Sequence, residues 1–85
     1  MTILPLRVTV EDVWGEVLLE LSDQLPVSEV KRQALELTRI KRNPSEYVLK
    51  FRGAELSDES ESLAEAGLVP NGALIVLARR RRPVR

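Results

Sequence analysis

Five carboxylates fall between positions 55 and 65, namely Glu55, Asp58, Glu59, Glu61 and Glu65. Clustered carboxylates are the ligands of hard cations, but a calcium loop also needs alternating Asp/Asn ligands, a central glycine and a closing glutamate, and this stretch has none of that spacing. A solvated acidic loop is the expectation, with no metal site. Ser57, Ser60 and Ser62 lie in the same stretch. A serine becomes a nucleophile beside a base, and the chain offers neither a histidine nor a well-placed lysine to serve as one. Catalytic residues, cofactors and a small-molecule substrate are therefore not expected.

The opposite charge gathers at Arg79, Arg80, Arg81, Arg82 and Arg85. Arginine forks pair bidentately with oxyanions, so this end either contacts an acidic partner or simply keeps the chain in solution. The chain carries 13 basic and 13 acidic residues and three aromatic side chains, Trp14, Tyr47 and Phe51. A neutral chain with so few stacking surfaces does not read as a nucleic-acid binder. It has no cysteine, which excludes a disulfide framework and fits a reducing compartment. Neither a secretion signal nor an apolar run approaching the roughly 20 residues of a membrane span is visible. The expectation is a soluble cytoplasmic monomer of one domain over residues 1–79, followed by a basic tail over 80–85.

Those charges must be positioned by regular elements. Val27, Val30, Ala34 and Leu37 recur at steps of three and four, with Leu35 widening the stripe, so an amphipathic helix runs from Val27 to about Thr38. Pro26 suits its first turn, and Asn43-Pro44 lies beyond its end. Lys31 falls within the apolar arc, where an ammonium needs an acidic partner or a route to water. Upstream, Leu6, Val8 and Val10 alternate with polar residues, as do Val17, Leu19 and Leu21 after Gly15, which can take positive φ in a hairpin loop. Downstream, Tyr47, Leu49 and Phe51 define a third strand, Glu55-Leu56 a short fourth, and Leu74 and Val76 a last strand after the turn signal Asn71-Gly72. The order is ββαββ, with a short helical turn within residues 57–67. One sheet of four to five strands must bury one face against one helix, an α+β fold.

In that order, the strand ending at Leu19 to Leu21, the helix opening PVSEVK, the segment YVLKFRGAEL and the later SLAEAGLVPNGALIVL resemble the ubiquitin-like β-grasp domains over about Leu6 to Arg79. The resemblance implies a mixed sheet wrapped around one helix. It also implies a structural ion pair, since Lys31 matches a largely buried helix lysine of ubiquitin whose acid would here be Asp58. Conjugation through a C-terminal diglycine is not expected of a chain ending RRRRPVR, nor is sulfur-carrier chemistry, although a modifier with a processed glycine terminus is the competing class. YukD-type proteins associated with type VII secretion are similar in the residues Leu25-Pro26-Val27 and Ala66-Gly67-Leu68, and supply a second reading as a secretion accessory.

Alternation also defines the face that the helix does not cover. Val48, Lys50, Arg52, Ala73, Ile75 and Leu77 point outward. In ubiquitin the matching surface carries an apolar patch centred on an isoleucine. Lys50 takes that place here, while Val13 and Leu77 match the patch's other members. A non-catalytic adaptor is therefore expected, binding a protein partner through Val13, Trp14, Val48, Lys50, Arg52, Ile75, Leu77, Arg79 and Arg80. The bland reading of the same residues is that Trp14 folds back over the sheet and the rest are scattered surface apolar groups.

Overall fold

The computed structural model describes residues 2–78. Two long strands, β1 (Ile3–Val10) and β2 (Gly15–Ser22), form the antiparallel hairpin, joined by a 3-10 turn over Glu11–Val13. Helix α1 spans Val27–Leu37, β3 spans Tyr47–Phe51, β4 is the two residues Ala54–Glu55, and β5 spans Gly72–Ala78. The sheet order is β2-β1-β5-β3-β4, with β1 and β5 parallel at its centre and the other neighbours antiparallel. This is the expected α+β arrangement.

Period-two alternation sends Leu4, Leu6, Val8 and Val10 of β1, Tyr47, Leu49 and Phe51 of β3, and Leu74 and Val76 of β5 into one core, where they meet Val27, Val30, Ala34 and Leu35 of α1. Pro26 is the residue before α1 rather than part of its first turn, and it lends no side chain to the cap. Instead the acidic loop folds over the helix start, where Val27 and Ser28 donate their backbone N–H groups to the carbonyls of Glu61 and Glu59.

The other end of α1 departs from the periodic stripe. Leu37 is exposed although its spacing placed it on the apolar face. The chain turns back through Arg39 at φ 62, with Ile40 N–H donating to Leu35 O and Arg39 N–H to Glu36 O, and Ile40 packs against the core. The same closure ends the single helical turn after Ser62. There Gly67 takes φ 85, and Ser62 and Glu65 exchange backbone-to-side-chain hydrogen bonds.

Candidate functional site

Three carboxylates of the acidic loop, those of Asp58, Glu59 and Glu65, are engaged by the protein's own donors. Glu59 Oε2 receives Lys31 Nζ at 2.7 Å, and Lys31 also donates to the Tyr47 carbonyl at 2.9 Å. Lys31 is only 3% exposed, so the pair is largely desolvated. Asp58, the acid expected opposite Lys31, instead accepts from the backbone N–H and hydroxyl of Ser60, which hold its carboxyl below the usual carboxylate range. The expectation was off by one residue. An aspartate opening a turn bonds to the residue two ahead, while the longer glutamate after it reaches across to the helix. Among the described residues no group of three or more His, Cys, Asp or Glu is placed to hold a metal ion.

Across the sheet, register arranges the outer face in rows. Leu18 of β2 stands level with Arg7 of β1 and Ala73 of β5, and Glu16 with Thr9, Ile75, Lys50 and Glu55. Leu77 faces Val48. Ile75 is exposed and Lys50 and Leu77 are half-buried, as a contact surface requires. Val48 is not available in the same way. Its side chain is buried yet lies outside the core cluster. Arg52 also departs from its expected place. It sits beyond the end of β3 at φ 56, with its guanidinium 5.1 Å from the centroid of the Phe51 ring. Arg79 and Arg80 lie outside the described residues.

Two features of the face were not carried from the sequence into the site. Leu18 is 71% exposed beside Arg7, although its outward direction was legible between Glu16 and Glu20. Arg7, Leu18, Pro5, Glu20 and Asn71 line a shallow groove of about 220 Å³. Among the described residues neither Arg7 nor Lys50 makes an ion pair, even though Lys50 stands opposite Glu55. The face thus sets Arg7 and Lys50, without a close ion pair among the described residues, among apolar side chains and the carboxylates of Glu16, Glu20 and Glu55.

The hairpin tip adds Val13 and Trp14 where β1 passes Val76 and leaves the sheet. Trp14 is 80% exposed and does not fold back over the sheet. Positive φ falls on Trp14, at 49°, and not on Gly15. At Gly15 the constraint is instead a close approach, since a Cβ there would lie 3.3 Å from Val13 Cγ2 and the exposed Val13 side chain would have to give way slightly.

No protein-family model and no curated protein matches the sequence. Solved structures do match the fold. The ubiquitin-like domain of an Arabidopsis thaliana protein superposes with a TM-score of 0.78 over 100% of this chain and 86% of its own, at 16% identity. The fold is the ubiquitin-like β-grasp. Ubiquitin of Caldiarchaeum subterraneum gives 0.77 at 18% identity, covering 93% of this chain and 96% of its own. The C-terminal ubiquitin-like domain of mouse tubulin-specific chaperone E also gives 0.77 at 18%, over 98% and 93%. At 16–18% identity the likeness is one of fold, and among the described residues no helix is long and apolar enough to cross a membrane.

Proposed function

We propose that this β-grasp domain is a non-catalytic protein-recognition module whose docking surface is the outer face of the sheet with the hairpin tip. The observation that carries this reading is Trp14, a large aromatic side chain exposed to 80% on a backbone at φ 49. A bulky residue in the left-handed region costs free energy, and an exposed indole recovers none of it by burial, so Trp14 contributes little to the free protein's stability and has its apolar surface available to a partner. Tryptophan is also over-represented among the residues that anchor interfaces. Unpaired Arg7 and Lys50 beside Leu18, Ile75 and Leu77 favour a partner segment that combines apolar side chains with carboxylates.

A library of displayed random peptides selected against the protein tests the reading. Enriched peptides are expected to carry Asp or Glu among apolar residues and to shift the fluorescence of Trp14. Their affinity should fall at least about tenfold in Trp14→Ala and in Lys50→Glu, the loss typical of an interface anchor. No enrichment, or ligands indifferent to both substitutions, refutes it.

A further inference from the structure

Tyr47 is the first residue of β3 and its side chain is fully buried, yet its hydroxyl does not end in the core. It donates to Asp12 Oδ2 at 2.6 Å, across 35 residues of sequence, inside the 3-10 turn that leads into Trp14. The main chain of Tyr47 is held as well, because its carbonyl accepts from Lys31 Nζ, which is itself paired with Glu59. Ring and backbone are thus fixed independently, one by the core and the other by the helix. The hydroxyl is a stationary point at the edge of the sheet.

We propose that Tyr47 and Asp12 are positioning residues, a tether that fixes the hairpin tip and pre-organises Trp14 for docking. The inference rests on the reading of Trp14 as an interface anchor. A strained backbone persists only where its surroundings over-determine it; the tip is closed from below by the Val10–Gly15 pair and lies beside β5, and the Tyr47 bond is its one side-chain hydrogen bond among the described residues. Within the turn, Trp14 N–H donates to Glu11 O at 3.2 Å, a long bond, whereas the phenol-to-carboxylate bond is of the short, charge-assisted kind. Apart from that tether Asp12 is exposed, as are Val13 and Trp14, so these side chains themselves add little packing to the tip. Holding an anchor in its docking conformation before the partner arrives removes an ordering cost from association.

Because Trp14 is the single tryptophan of the chain, its fluorescence reports the tip without a label. Tyr47→Phe keeps the buried ring and removes the donor; Asp12→Ala removes the acceptor; Asp12→Asn keeps an oxygen that can accept. Tyr47→Phe and Asp12→Ala are expected to enlarge the fast component of Trp14 anisotropy decay. They should also accelerate exchange of the Trp14 amide about tenfold, the factor carried by one hydrogen bond to a charged group. Asp12→Asn, which keeps an acceptor but loses the charge, should fall between the parent and Asp12→Ala. Thr38→Val, which loses the hydroxyl bonds to Ala34 O and Leu35 O far from the tip, should lower stability without moving either signal.

Unchanged anisotropy and exchange in Tyr47→Phe overturn the tether whatever the face binds, and so does an equal response from Thr38→Val. A peptide selected through Trp14 should bind more weakly to Tyr47→Phe than to the parent. Absence of any such peptide, with the tip dynamics altered as expected, would instead bring down the docking reading and leave the tether standing.

Discussion

Removing the carboxylate of Glu59 should destabilise the fold far more than removing that of its neighbour Asp58. Glu59→Ala leaves the ammonium of Lys31, 3% exposed, with the Tyr47 carbonyl as its remaining hydrogen-bond partner. Breaking a buried pair from one side costs about 3–5 kcal/mol. Here the Glu59 side chain keeps 26% of its surface in water, so the site is not sealed. A loss of about 2–3 kcal/mol follows, or roughly 8–24 °C in melting temperature for a domain of this size. Asp58→Ala removes acceptors only from Ser60 in an exposed turn, about 0.5–1 kcal/mol. Lys31→Met removes the buried charge at similar volume and deprives the Tyr47 carbonyl of one donor, about 1–2 kcal/mol. Thermal and urea unfolding followed by far-UV circular dichroism at neutral pH measures all three. The double variant Lys31→Met with Glu59→Ala should be no worse than Lys31→Met, since the acid has nothing left to neutralise. Additive losses in the double variant, or a shift for Asp58→Ala equal to that for Glu59→Ala, would refute the assignment.

Three other outcomes follow from local geometry. Arg39→Gly should stabilise the domain by about 0.5–1 kcal/mol, because Arg39 closes α1 in the left-handed region that Gly67 occupies in the equivalent closure, and thermal melting would show the gain. Gly72→Ala should destabilise by about 1–3 kcal/mol, because its Cβ would stand 3.0 Å from Val69 O and 3.2 Å from Phe51 Cε1; urea midpoints test this. Glu29 is held to about 2, from an ordinary 4.5, chiefly by its hydrogen bond to Arg32 and then by that from Gln33. Its folded value is depressed, so its contribution is present above pH 4.5 and is lost as pH falls toward 2. Glu29→Gln should therefore flatten the stability profile within that window, by a small amount because Arg32 is exposed to solvent, and acid titrations of urea midpoints would detect it.

The tip shows why a rule of residue preference can point to the wrong atom and still mark the right place. Glycine is the residue that tolerates positive φ, so Gly15 was the natural candidate for the hairpin loop. In the fold, Gly15 is only closely approached by the Val13 side chain, and the positive φ falls one residue earlier on Trp14. A hairpin built for stability alone would place a glycine or asparagine there. The substitution that tests this is Trp14→Gly, which should fold at least as well as the parent while losing the selected peptides.

Repeating patterns made the architecture legible. Alternation in β1, β2, β3 and β5 and the three-and-four spacing of α1 sorted nearly every core residue, because each buried face must be apolar along its whole length. The sequence by itself also required an answer to the charge of Lys31, since an unpaired buried ammonium is too costly to keep. Tertiary structure alone decided which acid supplied that answer. Asp58 and Glu59 sit in a loop without periodicity, and only the path of that loop over the start of α1 turns the first toward Ser60 and the second toward Lys31. The same holds for Leu37, left exposed while Ile40 packs on the core where the chain reverses, for Val48, buried on the face it was expected to expose, and for the reach of Tyr47 to Asp12. Each depends on contacts between segments far apart in the chain, and no local pattern encodes where those segments meet.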